Sequence, residues 1–243
     1  MVAGHAEYGA IKNRYTLMLG MDIESAYDSL RNSDMSNSLR EFGASEEYIH
    51  LYEDFFNFRV NFIEHRGVKV TNYPTQGTPQ GGVGSPHLWA LVIDDLLNEL
   101  DKIPGLVKVA YADDIAILVT SSSIARCVEV AQQAIDLCCE WGARHSLRFS
   151  PSKTEAMLIW KRNDLDRSVV PQLTIEGKPI SYKSKLKYLG LIYNEKLDWM
   201  PHLRDKCSKS KNVSTATKGV SAKCLVINQL WPPTYGGALS ALD

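Results

Sequence analysis

The sequence lacks the features of a secreted or membrane-bound protein. Its five cysteines are an odd number and include no C-x-x-C pair, which argues against both a disulfide framework and a zinc knuckle. The longest window without acidic or basic side chains, residues 70–93, has the length of a membrane span but is rich in Gly, Pro, Gln, Asn and Thr. Residues 1–14 contain no apolar segment of the signal-peptide kind. We therefore expect a soluble intracellular protein, nuclear or cytoplasmic, with reduced thiols and no membrane partner.

Net charge is also small, but its distribution along the chain is uneven. The 243 residues include 27 basic and 28 acidic side chains, for a net charge of −1. Residues 178–223 hold ten lysines and one arginine against three acids, a surplus of eight positive charges that leaves −9 on the remainder. A basic segment beside an acidic body predicts a polyanion held next to a carboxylate-rich site. A solvated helix face that happens to use lysine would give the same count.

The order of helical and extended patterns predicts an α+β fold, in which an antiparallel sheet carries helices on one face. Apolar residues make up 44% and charged residues 23% of the chain, as in globular proteins. Ser33 or Asp34, Ser45 and Ser85 are predicted helix N-caps. The β-like segments are residues 15–22, 59–72, 106–120, 154–160, 173–180 and 186–193, and the clearest helical stripe is 124–142, which would bury Cys127 and Cys138.

Three carboxylates stand where the sheet would hold them rigidly. Asp22 ends the first predicted strand, and Asp113 and Asp114 lie at the tip of the hairpin predicted over residues 106–120. Mg²⁺ prefers such oxygen ligands, usually one or two carboxylates together with substrate phosphates. Asp-Asp is also common in ordinary turns, and the pair Asp94-Asp95 lies within a predicted helix, where a solvated or interhelical role is expected.

Five short motifs in a fixed order are more specific than any one of these features. Tyr111-Ala112-Asp113-Asp114 resembles the Y/F-x-D-D box of reverse transcriptases, and residues 22–28 resemble their first acidic motif, D-x-x-x-A-F/Y-D. Residues 76–86 are similar to the Q-G-x-P-Q-G-x-x-x-S-P box, residues 150–155 to the fourth motif, and residues 187–190 (K-Y-L-G) to the primer grip. The chain most resembles enzymes of non-LTR (LINE-type) retrotransposons, with group II intron enzymes the nearest alternative. Gly84 and Ser150 replace the usual Leu and Asn.

The resemblance implies a catalytic centre for RNA-directed DNA synthesis. Asp22 and Asp113 would be the main ligands of two Mg²⁺ ions, which Mn²⁺ could replace, with the Ile23 carbonyl and Asp114 in support. The partners would be an RNA template, a DNA primer and deoxynucleoside triphosphates. Tyr27 would lie under the deoxyribose and exclude a 2′-hydroxyl. The remaining implied contacts are Gln80, Gly81 and Lys153 to the nucleotide, and Lys185, Lys187, Tyr188, Leu189 and Gly190 to the primer and template.

The same resemblance implies a domain division and leaves two functions open. Residues 1–14 would be an N-terminal remnant, 15–165 the polymerase palm with its ferredoxin-like core, 166–200 the connection carrying the primer grip, and 201–243 a partial helical thumb. The intact acids favour an active reverse transcriptase. The short N-terminal part, with little room for fingers, favours an inactive remnant that only binds RNA or a duplex. A palm-type nucleotide cyclase would explain neither residues 76–86 nor residues 187–190.

Overall fold

The computed structural model describes residues 1–79, 81–161 and 167–216, in two units, Met1–Trp199 and a second beginning at Met200. Across these ranges, no helix is both long and apolar enough to cross a bilayer. The helices are α1 (Val2–Ile11), α2 (Ala26–Ser29), α3 (Asn32–Phe42), α4 (Glu46–Asn57), α5 (Ser85–Leu100), α6 (Ile124–Arg144) and α7 (Met200–Ala216). The strands are β1 (Tyr15–Asp22), β2 (Asn61–His65), β3 (Val68–Asn72), β4 (Leu106–Tyr111), β5 (Asp114–Ser121), β6 (Glu155–Ile159), β7 (Thr174–Ile175), β8 (Lys178–Pro179), β9 (Ser181–Tyr182), β10 (Lys185–Tyr188) and β11 (Leu191–Asn194).

A five-stranded sheet in the order β4-β5-β1-β6-β9 forms the centre of the first unit. The first strand, β1, runs antiparallel to both of its neighbours, β5 and β6. Only β9, at the edge, runs parallel to its partner β6. The remaining strands form three two-stranded ribbons, β2-β3, β7-β8 and β10-β11. The strand predicted over residues 15–22 and the hairpin predicted over residues 106–120 are confirmed, and the β-like segment 59–72 forms the β2-β3 hairpin.

The predicted α+β fold, a sheet backed by helices, is confirmed, and α1 and the β10-β11 ribbon also cover the second face of the sheet, so that both faces are buried. Leu17 and Leu19 belong to a large apolar cluster with side chains from α3, α4, α5 and α6. Met18, on the opposite face, belongs to a second cluster with Val2 of α1 and Leu186 of β10. A strand buried on both sides is a continuous apolar run, which explains why β1 shows no polar alternation. No sequence signal predicts α1, whose buried residues are Val2, Ala6, Gly9 and Ala10.

Two of the predicted helix caps are wrong, because those side chains bind groups other than the first amides of their helices. Ser45 caps α4 as predicted, and its Oγ accepts a hydrogen bond from the Tyr48 amide at 3.4 Å. By contrast, α3 begins after Arg31, and Asp34 lies inside the helix, where its carboxylate accepts two hydrogen bonds of 2.8 Å from the Arg31 guanidinium. The first residue of α5 is Ser85, whose Oγ donates to the Pro79 carbonyl at 2.9 Å.

Two further expectations, for helices α5 and α6, are confirmed. Cys127 and Cys138 are buried on α6, and Cys139 is half-buried there. The carboxylate of Asp95, on α5, accepts a hydrogen bond of 2.9 Å from the Trp141 indole of α6. This Asp-Asp pair therefore has the interhelical role expected of it, and it lies apart from the acids at the end of β1.

The difference in burial between strands predicts a clear difference in stability. Ile117 in β5 is fully buried, whereas Ile63 in β2 is 76% exposed. We expect Ile117→Ala to lower the free energy of unfolding by about 2–5 kcal/mol, because the truncation leaves a cavity in the sheet core. The matched change Ile63→Ala should cost less than about 0.5 kcal/mol. Urea unfolding of both variants is the measurement, and equal losses would contradict the described sheet packing.

Candidate active site

A tight turn presents two of the three predicted acids at one end of the sheet. Tyr111 of β4 pairs with Asp114 of β5, so the loop of this hairpin consists of only Ala112 and Asp113. Ala112 has a φ of +52°, in the left-handed region that the favoured two-residue hairpin turns require. The loop is so short that it leaves the Asp113 backbone little freedom.

The third acid lies directly across from this turn. Asp22, the last residue of β1, is the register partner of Asp114 in the antiparallel β1-β5 pair. Its backbone is held from the other side as well, because the Ser150 amide donates to the Asp22 carbonyl at 2.9 Å and the Glu24 amide donates to the Arg148 carbonyl at 2.8 Å. Ile23 lies between these two hydrogen bonds. Asp22, Asp113 and Asp114 are therefore gathered at one corner of the sheet by strand pairing.

The electrostatics of this corner favour a cation. The pKa of Asp114 is raised, first by partial loss of solvation and then by the negative charges of Asp113 and Asp22. The Oδ2 atom of Asp22 is buried and has no hydrogen-bond partner with good geometry. Lys153, 65% exposed, places its Nζ 3.3 Å from that same oxygen. This contact brings the predicted nucleotide-site lysine next to the acids.

The described residues do not form a complete metal cage. Among them, no group of three or more His, Cys, Asp or Glu side chains is arranged to hold a metal ion. Mg²⁺ is usually held by one or two carboxylates and completes its shell with water and substrate phosphates. An underbonded carboxylate oxygen on Asp22 and repulsion among the three acids fit that mode of binding.

The predicted nucleotide-side residues lie on the segment after β1 and on the loop before α5. The ring of Tyr27 is half-buried, and its pKa is raised, first by burial and then by the charge of Asp113. The loop is tied to this segment, because the Thr78 amide donates to the Tyr27 carbonyl at 2.8 Å. Gly77 has a φ of +81°, and an added Cβ would lie 2.7 Å from the Asp28 carbonyl oxygen, so only glycine fits. Gly81 also has a positive φ, of +82°, and Gln80 lies outside the described residues.

Gly84, one of the two departures from the usual motif, has a local explanation. A Cβ at this position would collide with the hydroxyl of Tyr52 from α4. The larger residue that is usual here would not fit unless Tyr52 moved. The glycine at position 84 therefore leaves the space that the Tyr52 side chain of α4 occupies.

The predicted primer-side residues divide into buried and exposed ones. Tyr188 is only 5% exposed, and its hydroxyl donates to the Val109 carbonyl of β4 at 3.2 Å. Burial, and secondarily the charge of Asp114, raises its pKa to about 12. Its ring is therefore covered by the sheet. Leu189 and Gly190, in the turn of the β10-β11 ribbon, both have positive φ, and Leu189 is 46% exposed. The side chains of Lys185 and Lys187 are exposed on β10.

The basic segment predicted over residues 178–223 is described only in part. Its lysines on β10 and on the first part of α7 are exposed. Within α7, Lys209 is paired with Asp205 at 2.7 Å, so that its charge is partly neutralised. Residues 217–223 lie outside the described residues.

One residue close to the acids was missed by sequence reasoning. Trp89, on α5, is buried, and its indole Nε1 donates to the Ala112 carbonyl at 2.7 Å. Its ring lies 5.4 Å from the ring of Tyr27, centroid to centroid. A usable signal was present, because a tryptophan in an otherwise apolar helix stripe needs a hydrogen-bond acceptor when it is buried.

The fold and the position of the acids define a polymerase palm of the reverse transcriptase type, and comparison with known proteins agrees. A family model described as reverse transcriptase (RNA-dependent DNA polymerase) matches residues 5–193. The Pol polyprotein of retrotransposable element R1 from Bradysia coprophila is 32% identical over 202 residues, which is 83% of this chain and 19% of that protein. The RNA-directed DNA polymerase of the mobile element jockey from Drosophila funebris is 25% identical, over 79% of this chain and 21% of that protein.

Solved structures give the same fold. Apo telomerase from Candida tropicalis superposes with a TM-score of 0.59 at 14% identity, over 81% of this chain and 39% of that one. The same telomerase bound to a fragment of telomeric RNA gives a TM-score of 0.57 at 13% identity, over 81% of this chain and 32% of that one.

This chain belongs to the reverse transcriptase family, and its relatives include the enzymes of R1 and jockey non-LTR retrotransposons. The family generally uses divalent metal ions. The chain spans about a fifth of the length of each of these two relatives.

The crowding of the acids predicts a pH-dependent effect on stability. Because the folded-state pKa of Asp114 is raised, its ionised form destabilises the folded chain at neutral pH, and protonation relieves this as the pH falls through the raised value. We expect Asp114→Asn to raise the melting temperature of chelator-treated protein at neutral pH. The gain should shrink as the pH falls towards the ordinary aspartate pKa of about 4.

The control for this measurement is Asp94→Asn, at an exposed position on α5. Melting curves of both variants and of the wild type over a pH series test the prediction. A gain for Asp114→Asn that does not change with pH, or an equal gain for Asp94→Asn, would contradict it.

Proposed function

We propose that this chain carries the nucleotidyl-transfer centre of a retrotransposon RNA-directed DNA polymerase, which extends a primer with deoxynucleoside triphosphates on an RNA template. The observation that carries the proposal is the meeting of Asp22, Asp113 and Asp114 at one corner of the sheet, in a chain of the reverse transcriptase family. The carboxylates are held by strand pairing and a two-residue turn, which is the rigidity that charge stabilisation in a transition state demands.

In this proposal the acids bind two Mg²⁺ ions, or Mn²⁺ in their place. When bound, such ions lower the pKa of an attacking hydroxyl and neutralise charge on the transferred phosphoryl group. Asp22 and Asp113 act as the main ligands, and Asp114 and the Ile23 carbonyl support them. The buried Oδ2 of Asp22, which pairs with the Lys153 ammonium but accepts no hydrogen bond, supports its role as a ligand.

The nucleotide would lie between the acids and the loop that precedes α5. Tyr27 faces this space from the segment after β1 and excludes a ribose 2′-hydroxyl by the bulk of its ring. We expect Gly81 to line the pocket, where a residue without a side chain lets the backbone approach the substrate closely. Gln80, outside the described residues, would also contact the nucleotide. The Lys153 ammonium lies 3.3 Å from Asp22 Oδ2. In this proposal it moves to the triphosphate when the acids bind cations, because the cations then neutralise the carboxylates in its place.

The nucleic acid would be held without reading its sequence. Leu189 and Gly190 support the primer end, and Tyr188 holds their turn against β4 through its buried hydroxyl. Lys185 and Lys187 contact phosphates as point charges. The family and the RNA complex of the structurally similar telomerase support a nucleic-acid partner for this chain.

A second candidate function is nucleic-acid binding without catalysis. The surplus of positive charge in residues 178–223 favours it, because those lysines can neutralise phosphates whether or not the acids are active. Primer extension reports catalysis and salt-sensitive duplex binding reports nucleic-acid binding, so the two candidate functions can be distinguished.

Primer extension tests the catalytic proposal. We expect the wild-type chain to extend a DNA primer on an RNA template with Mg²⁺. Asp113→Asn should lower the rate by more than about 100-fold, because changing even the partners of metal ligands costs about 10- to 100-fold. Asp94→Asn is the control, with no change expected. Absence of extension by the wild type, together with salt-sensitive duplex binding, would favour the second candidate.

Sugar discrimination tests the assignment of Tyr27. We expect Tyr27→Val to lower the preference for dNTPs over rNTPs by about tenfold or more, because the smaller side chain leaves room for the 2′-hydroxyl. Tyr27→Phe keeps the ring and should keep the preference. Single-nucleotide extension measures the preference as the ratio of kcat/KM for dNTP to kcat/KM for rNTP. Equal behaviour of the Val and Phe variants would remove Tyr27 from this role.

A further inference from the structure

Trp89 lies between the acidic turn and the nucleotide-side tyrosine, and it contacts both. It is 1% exposed on α5, and its indole Nε1 donates to the carbonyl of Ala112 at 2.7 Å, across 23 residues of sequence. The same ring lies 5.4 Å from that of Tyr27, with 34° between the ring planes.

The hydrogen-bonded carbonyl controls the orientation of Asp113. The oxygen of Ala112 and the amide nitrogen of Asp113 belong to one planar peptide group, so an anchored oxygen sets the plane from which the Asp113 side chain departs. Ala112 has a φ of +52°, a conformation that a residue with a Cβ adopts reluctantly. The turn therefore gains from an anchor that holds this conformation from the interior.

The contact with Tyr27 brings in a second part of the site. Tyr27 is tied to the loop before α5 through its carbonyl, which accepts from the Thr78 amide at 2.8 Å. Its ring packs against Trp89, so one buried side chain supports both the metal side and the sugar side of the nucleotide position.

We propose that Trp89 is a positioning residue that holds Asp113 ready to bind a divalent cation, through the hydrogen bond from its indole N–H to the Ala112 carbonyl. The proposal rests on the polymerase function proposed above. If packing alone positioned the turn, a side chain of similar shape without the N–H would also orient Asp113. The proposal predicts that such a side chain fills the space and still fails to orient the acid.

The test compares two buried tryptophans in the full 243-residue chain. Trp89→Phe removes the N–H that holds the turn and keeps an aromatic ring beside Tyr27. Trp141→Phe is the matched control, because Trp141 is also fully buried and donates a hydrogen bond of 2.9 Å, to Asp95 in the interface between α5 and α6. Both variants lose one indole hydrogen bond, and only the first loses it at the acids.

Binding of Mn²⁺ alone, followed by electron paramagnetic resonance, is the deciding measurement. A partly unfolded sample lowers the number of sites and leaves the dissociation constant of the folded fraction unchanged, so the two effects are separable. We expect the dissociation constant of Trp89→Phe to rise by about 10- to 100-fold, as is usual when a partner of a metal ligand is lost. Trp141→Phe should stay within about twofold of the wild type. A shift no larger in Trp89→Phe than in Trp141→Phe would overturn the proposal.

Primer extension is the second measurement, and its failure has a different meaning. In an active chain we expect Trp89→Phe to need a higher Mg²⁺ concentration for half-maximal rate, with a KM for dNTP close to that of the wild type. If the wild type itself does not extend a primer, the polymerase proposal fails for this chain, and the Mn²⁺ constants still decide the role of Trp89.

A third variant keeps the test valid if Trp89→Phe does not fold. Replacing Trp89 with β-(3-benzothienyl)alanine exchanges the indole N–H for sulfur and leaves the ring shape nearly unchanged. The proposal predicts weakened Mn²⁺ binding for this variant as well. Wild-type Mn²⁺ affinity in it would show that ring packing alone positions the turn, and would overturn the proposal.

Discussion

The antiparallel pairing of β1 with β5 is the constraint on which the candidate site depends. Its register places Asp22 opposite Asp114, and the two-residue turn that closes β4 and β5 adds Asp113 at the same end. A one-residue slip of this pairing would exchange the side chains of a strand between the two buried faces of the sheet, so that each would meet packing partners that do not fit it. The interior of the sheet therefore fixes the positions of the acids, although the acids repel one another.

The repulsion among Asp22, Asp113 and Asp114 is neutralised only in part by nearby positive charge. Lys153 lies near Asp22, yet the Oδ2 of Asp22 still lacks a hydrogen bond, and the pKa of Asp114 remains raised. The surroundings of the site are otherwise well tied, by Trp89 to the turn and by the Thr78 amide to Tyr27. A rigid frame around an unbalanced negative charge is the arrangement expected where a cation and a phosphate complete the structure on binding.

Much of the fold could be predicted from local patterns, and the failures come from side-chain and backbone contacts that those patterns do not show. The strand over residues 15–22 and the turn at Asp113 and Asp114 were predictable, because continuous apolar runs and turn residues are local signals. Helix α1 was not predictable from such signals. Its small residues pack on the sheet because Gly9, which has no Cβ, lies close to Thr16. The capping roles of Asp34 and Ser85 failed because Arg31 and the Pro79 carbonyl bind those side chains. The burial of Tyr188 could not be predicted from local patterns either, because the carbonyl that its hydroxyl binds, that of Val109, lies on β4.

The sequence by itself determined the membership of the family and the identity of the acids, because motif order and residue type are properties of the chain and need no coordinates. Tertiary structure alone decided how these residues meet: which side chains turn inward, which carbonyl Trp89 holds, and how close Lys153 comes to Asp22. The physical reason is that contacts between distant segments depend on the packing of the whole core. A hydrogen bond from α5 to the acidic turn exists only after the sheet and the helix have docked.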